Sequence, residues 1–72
     1  MQNIEVTARC FDPFTGVPTS EPRAEIIDMK TNALFRSCET LTDVSETYME
    51  FWNRLPTVQS ELVLVQSIRW MK

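Results

Sequence analysis

The hydrophobic period of the chain changes at Thr40, and this change constrains the fold more than any other feature. Before it, apolar and polar residues alternate, as over residues 4–11, which is the period of a strand with one buried face. After it, apolar residues recur at steps of three and four, as in a helix packed on one side. These residues are Leu41, Val44, Tyr48, Phe51, Trp52 and Leu55. The segregation of strands from helix predicts an α+β domain.

A helix is predicted over residues 43–55. Thr42 or Asp43 offers an N-cap whose side-chain oxygen can accept a free N–H of the first turn. Pro56 has no main-chain N–H for the hydrogen-bond ladder, so we expect the helix to end before it.

Segments with the composition of strands lie at residues 4–11, 24–29, 33–38 and 62–70. The predicted order is therefore β-β-β-α-β. It implies one small two-layer domain over residues 1–72, with an antiparallel sheet of three to four strands and one helix across one face.

Two turn motifs between these segments place Asp, Thr and a residue tolerant of positive φ at the same spacing. They are Asp12-x-x-Thr15-Gly16 and Asp28-x-x-Thr31-Asn32. We expect two tight turns of similar geometry, with Gly16 and Asn32 in the left-handed conformation.

Strand alternation divides the sheet residues between a face under the helix and an open face. The residues expected under the helix are Ile4, Val6, Ile26, Leu64 and Ile68. Those expected on the open face are Thr7, Arg9, Val63, Val65, Ser67 and Arg69. A face that mixes apolar, hydroxyl and guanidinium groups is typical of an interface.

Composition excludes several function classes. The chain has 72 residues, a net charge of −3, one glycine and no histidine. The net negative charge disfavours nucleic acid and membrane surfaces as partners. The absence of histidine disfavours ordinary acid–base and zinc chemistry, and a single glycine is too few for a phosphate-binding loop. We therefore expect a protein that is not an enzyme and holds no cofactor or metal. Cys10 and Cys38 are expected to be free thiols in a cytoplasmic protein, a bridge being the alternative.

The candidate partner-binding residues are exposed cations and a terminal aromatic, side chains that are common at protein interfaces. They are Arg9, Arg36, Arg69 and Trp70. The alternative for each arginine is an ordinary solubilising role, and for Trp70 a place in the core. A second candidate surface is the acidic exterior of the helix, with Asp43, Glu46 and Glu50.

The segment Cys38-Glu39-Thr40-Leu41-Thr42-Asp43-Val44, followed by Trp52 and Pro56 and a last strand ending in Arg69, resembles the small phage-encoded inhibitor of bacterial RNA polymerase. The resemblance implies a protein that binds a host complex and performs no chemistry. Anti-CRISPR proteins share the same small size and acidity. The sequence thus favours an inhibitor of a host protein complex, RNA polymerase or a defence system. The alternatives are a self-assembling module, which would be a homodimer, and a nucleic-acid-associated protein.

Overall fold

The computed structural model describes residues 3–55 and 61–71. Its elements are β1 (Asn3–Phe11), β2 (Arg23–Asp28), α1 (Leu41–Arg54) and β3 (Leu62–Met71). The strands form one sheet in the order β2-β1-β3, with β1 antiparallel to both neighbours. Strands β2 and β3 are therefore parallel to each other, and α1 connects them across β1. The sheet of three strands with one helix confirms the predicted α+β class.

The core lies between the helix and one face of the sheet. Alternate residues of β1 are buried there, beginning with Ile4 and Val6. From α1, the buried residues Val44 and Tyr48 stand four positions apart and so lie on one side of the helix. Leu41 and Trp52 also pack against this core. The prediction of the stripe is therefore confirmed for these four residues but was wrong for Phe51, which is 41% exposed.

A β-bulge in β3 places several of its side chains on the face opposite to the one predicted. Thr7 pairs with Ser67 and Ala8 with Val65, so Gln66 is an extra residue of β3. An extra residue shifts the alternation by one position, which turns every side chain on one side of the bulge to the opposite face. Val63 and Val65 therefore lie on the helix side, where Val63 is buried. The predictions that both valines lie on the open face and Leu64 under the helix were wrong.

The facing of β2 also differs from the prediction by one residue. Ile27 pairs with Ile4 on the core side and is 2% exposed, whereas Ile26 pairs with Glu5 on the open face and is 51% exposed. The sequence offers two adjacent isoleucines, and pairing with β1 decides which is buried. Ile68, opposite Val6, packs against the core as predicted.

The predicted strand at 33–38 is absent, since these residues form turns. Local hydrogen bonds take the main-chain groups a strand would use: Asn32 Oδ1 accepts from Leu34 N–H at 3.0 Å, and the Phe35 carbonyl accepts from Cys38 N–H at 3.0 Å. Phe35 is buried and its ring stacks on Tyr48 with centroids 6.5 Å apart. One aromatic side chain thus accounts for the apolar character that suggested a strand.

The two turn motifs share two hydrogen bonds, as expected of similar turns, but differ in the φ of their last residue. In the first, the Asp12 carbonyl accepts from Gly16 N–H at 2.8 Å, and Asp12 Oδ1 accepts from Phe14 N–H at 2.8 Å. In the second, Asp28 makes the same two bonds, to Asn32 N–H at 3.0 Å and to Lys30 N–H at 2.9 Å. Gly16 has a φ of 75°. Asn32 does not have positive φ, so that part of the prediction was wrong.

The helix begins two residues earlier than predicted because Thr40 is its N-cap. The Thr40 hydroxyl accepts from Asp43 N–H at 3.0 Å, and the Asp43 carboxylate accepts from Thr40 N–H at 3.3 Å. This reciprocal capping box satisfies two otherwise free donors. Asp43 is thus the third helical residue rather than the cap, and Thr42 is not the cap either. Pro56, predicted to end the helix, lies outside the described residues.

Candidate functional site

Among residues 3–55 and 61–71, no helix covers the sheet face opposite α1, and the side chains of this face form rows across the three strands. The first row is Ile26, Glu5 and Arg69, and the second is Ala24, Thr7 and Ser67. The second row consists of small side chains, which makes the middle of the face flat. We call these six residues the open face.

Arg69 is exposed on the open face and is oriented by an ion pair. Its Nε donates to Glu5 Oε1 at 2.6 Å, while its side chain remains 70% exposed. Within the described chain, its other guanidinium nitrogens have no hydrogen-bond partner. An arginine held through one nitrogen can offer the other two to a carboxylate of a second molecule.

Arg9 and Arg36 have different surroundings. Arg9 projects on the same side of the sheet as Arg69, but its Nε donates to the Ser20 carbonyl at 2.8 Å and ties β1 to the loop before β2. Arg36 is exposed within the turns that replace the predicted third strand. The structure therefore brings Arg9 and Arg69 to one face and leaves Arg36 apart from them.

Trp70 lies on the opposite side of the sheet from Arg69. It pairs with Ile4, whose side chain is in the core, yet Trp70 is 39% exposed because β3 is an edge strand. Of the two alternatives for Trp70, the place in the core was wrong, since the indole is exposed and is not among the side chains that pack against the core.

The three acids of the second candidate surface are brought together along α1. Asp43, Glu46 and Glu50 line one shallow polar depression beside Cys38 and Thr47. Asp43 is engaged in the capping box, and Glu50 lies 3.4 Å from Arg54. Glu46 is exposed on this surface.

A groove between α1 and β2, with a volume of about 460 Å³, was not predicted from the sequence. Its polar lining includes Arg23, Glu25 and Tyr48, and Trp52 contributes an aromatic wall. The signal was present in the alternation of β2, which puts Arg23 and Glu25 on the helix side of the sheet. The groove was not predicted because the predicted facing of β2 was wrong by one residue.

Tyr48 is a buried titratable residue in the wall of the groove, and its surroundings raise its pKa. Its hydroxyl donates to Glu25 Oε1 at 3.2 Å. Burial, with the neighbouring Glu25 charge and this hydrogen bond, raises the pKa of Tyr48 from 10.0 to about 12. The hydroxyl therefore stays protonated at neutral pH and acts as a donor to the carboxylate.

Phe14 is a second exposed residue of interest that was not predicted from the sequence. It sits in the first turn motif and is 95% exposed. The two bonds that fix this turn run from the main chain of residues 14 and 16 to Asp12, so the aromatic ring is presented from an ordered loop. Ordered exposed aromatics are common anchors at protein interfaces.

The described residues contain no cluster of three or more cysteine, aspartate or glutamate side chains that could hold a metal ion. Cys10 and Cys38 are free and half-buried. In the part of the chain that the structure describes, no helix has the length and apolar character needed to cross a membrane.

Comparison with known proteins gives no relative for this fold and surface. No protein-family model matches the chain, no curated protein matches it, and no solved structure matches it.

Proposed function

We propose that this chain is a non-enzymatic protein-binding module and that its partner docks on the open face. The observation that carries the proposal is a sheet that, in the part of the chain the structure describes, has a helix on one side and on the other presents Ile26 and an exposed Arg69 held by Glu5. Such a face combines apolar area with an oriented charged donor, which is the composition of a protein interface.

The geometry of the Glu5–Arg69 pair supports binding rather than folding. Exposed ion pairs add little to stability, because solvent screens them and ordering long side chains costs entropy. The pair does fix the guanidinium in one orientation before a partner arrives, which lowers the entropic cost of binding. A partner carboxylate near Arg69 fits this arrangement.

The flat middle of the face fits a second layer of secondary structure. Ala24, Thr7 and Ser67 stand side by side across the sheet with no long side chain among them. A helix or sheet of a partner can approach such a row closely, as the layers of a two-layer domain do.

The narrower proposal is that the partner is a host complex, RNA polymerase or a defence system, which the chain inhibits. Its support is the resemblance over residues 38–44. Within the structure, Thr40 and Asp43 of this segment form the capping box of α1. These two residues therefore have a folding role of their own.

The test compares tagged baits in bacterial lysate by quantitative mass spectrometry. Thr7→Arg places a long charged side chain in the middle of the open face. Thr31→Arg makes the same chemical change at an exposed turn residue away from the sheet. We expect one complex to be captured by the wild type and by Thr31→Arg, and to be lost with Thr7→Arg.

A third bait, Glu46→Arg, examines the acidic surface of α1. Loss of the complex with this bait and its retention with Thr7→Arg would move the binding site to the helix and contradict the open-face proposal. A wild-type bait that captures nothing above the untagged control would contradict the proposal for bacterial partners. Capture of RNA polymerase or a defence complex would support the narrower form.

A further inference from the structure

Along the outer edge of β3, the main-chain groups are hydrogen-bonded at one end, whereas at the other end they have no hydrogen-bond partner among the described residues. At the hydrogen-bonded end, Asn53 on α1 binds the main chain of Val63 through both functions of its amide: Oδ1 accepts from the Val63 N–H at 2.8 Å, and Nδ2 donates to the Val63 carbonyl at 3.1 Å. The helix thus supplies hydrogen-bond partners for the main-chain groups of Val63 where it crosses β3.

The hydrogen-bond pattern of β1 shows which groups of β3 point outwards. The Cys10 carbonyl accepts from Thr19 N–H at 2.9 Å and its N–H donates to Ser20 Oγ at 3.1 Å, so the main-chain groups of Cys10 point towards the β2 side. Neighbouring residues of a strand point in opposite directions, so Arg9 bonds towards β3 and forms a hydrogen-bonded pair with Leu64.

Beyond the bulge the same pattern continues. Thr7 with Ser67 and Glu5 with Arg69 are the hydrogen-bonded pairs. The N–H and C=O groups of Ile68 and Trp70 therefore point away from the sheet. Among the described residues, none binds these four groups, in contrast to those of Val63.

We propose that a second copy of this chain occupies this edge, pairing its β3 antiparallel with the first to give a continuous six-stranded sheet. The outward groups of Ile68 and Trp70 are self-complementary under a two-fold axis: Ile68 of each copy lies opposite Trp70 of the other, which makes four main-chain hydrogen bonds. The open faces of both copies then point to the same side.

Side chains favour this register. Ile68 and Trp70 project on the helix side, and the 39% exposed indole would cover Ile68 of the second copy. Aromatic and β-branched side chains opposite each other stabilise antiparallel pairs. The axis passes between the two copies of Arg69, and each guanidinium is neutralised by its own Glu5 at 2.6 Å. The two guanidinium groups that meet at the axis repel each other, and the two Glu5 carboxylates beside them offset this repulsion, so the row of four groups has no net charge.

The outer edge of β2 is the natural control. By the same pattern, the main-chain groups of Ala24 and Ile26 point outwards there, and the exposed charged residues Arg23 and Glu25 flank Ala24. Charged side chains on an edge strand discourage pairing. On β3 the corresponding charge, Arg69, is paired with Glu5 of the same chain, whereas Arg23 has no ion-pair partner among the described residues. The inference shares Arg69 with the open face but does not rest on the proposed function, because it is argued from the main-chain groups of the β3 edge.

The experiment combines sedimentation equilibrium with hydrogen exchange measured by NMR on the wild-type chain, from about 1 µM to about 1 mM. We expect the mass to rise from 8.4 kDa to twice that value. Exchange of the Ile68 and Trp70 amides should slow by about tenfold or more as the dimer forms, while the Ala24 and Ile26 amides do not change. A monomer at every concentration would overturn the proposal, as would a dimer in which the Ile68 and Trp70 amides exchange as before.

A charge exchange tests the register. The double variant Glu5→Arg with Arg69→Glu keeps an ion pair within each chain but reverses its direction. Mixed with the wild type, it should form a heterodimer in which opposite charges meet at the axis, and native mass spectrometry should show more than the half expected from random mixing. A random mixture of the three species would overturn the pairing of Arg69 across the axis.

Discussion

The hydroxyl of Tyr48 on α1 donates to Oε1 of Glu25 on β2, 3.2 Å away, and so joins the helix to an edge strand of the sheet. The pKa of Tyr48 is raised to about 12, first by burial and then by the Glu25 carboxylate. The folded chain therefore holds the phenol proton more tightly than the unfolded chain does. The contribution to stability is complete below pH 10 and is lost as the pH rises towards 12.

The change to make is Tyr48→Phe. Between pH 10 and pH 12, the free energy of unfolding of the wild type should fall by about 1–2 kcal/mol more than that of the variant does. Urea denaturation at several pH values gives this difference. Because the chain has one tyrosine, the absorbance of tyrosinate reports Tyr48 alone. A tyrosine that ionises near pH 10 in the folded protein would contradict the prediction.

The adjacent residues Ile26 and Ile27 provide a test of the sheet register. Ile27→Ala removes buried methyl and methylene groups and should lower the free energy of unfolding by about 2–5 kcal/mol. Ile26→Ala makes the same change on the open face, at a side chain that is 51% exposed, and should cost less than about 1 kcal/mol. Chemical denaturation measures both variants. Equal costs would mean that the facing of β2 is wrong.

The same two residues show what the sequence could and could not predict. The class, the strand locations at 4–11 and 62–70 and the apolar stripe of α1 follow from periodicity, which is a local property. The facing of β2 does not, because two neighbouring isoleucines suit either face and only pairing with β1 selects one. The bulge at Gln66 has no local signal, and it displaced Val63, Leu64 and Val65 from their predicted faces.

The predicted third strand failed for a different reason. Residues 33–38 have strand-like composition, but they lie beyond β2 and make local hydrogen bonds instead of joining its outer edge. For the candidate site, alternation predicted the correct face for Arg9 and Arg69, and helical spacing predicted the correct side of the helix for the acids. It missed the groove at Glu25 and Tyr48, since this groove depends on tertiary packing.

The capping box predicts a specific pattern of stability losses. Thr40→Ala removes the acceptor for Asp43 N–H and should cost about 1 kcal/mol. Thr42→Ala is the matched control, since Thr42 is exposed in the first turn of the helix and caps nothing. Its effect should stay within about 0.5 kcal/mol. Urea denaturation compares the two, and a control that costs as much as Thr40→Ala would assign the cap to the wrong residue.

Asn53 offers a prediction about how the helix holds the edge of the sheet. Asn53→Asp keeps the acceptor for the Val63 N–H but replaces the donor with a second carboxylate oxygen, which repels the Val63 carbonyl. The loss of a part-buried hydrogen bond and the new repulsion should lower the free energy of unfolding by about 1–3 kcal/mol. Urea denaturation at neutral pH measures this loss.

The matched control for Asn53→Asp is Gln66→Glu, which makes the same change from amide to carboxylate at an exposed residue of the bulge. It should alter stability by less than about 0.5 kcal/mol. Hydrogen exchange adds a local test, because the Val63 amide keeps its acceptor in Asn53→Asp and should lose protection only as far as global stability falls. If the Val63 amide already exchanges freely in the wild type, Asn53 does not close this end of the β3 edge, and the contrast with Ile68 and Trp70 on which dimerisation was inferred disappears.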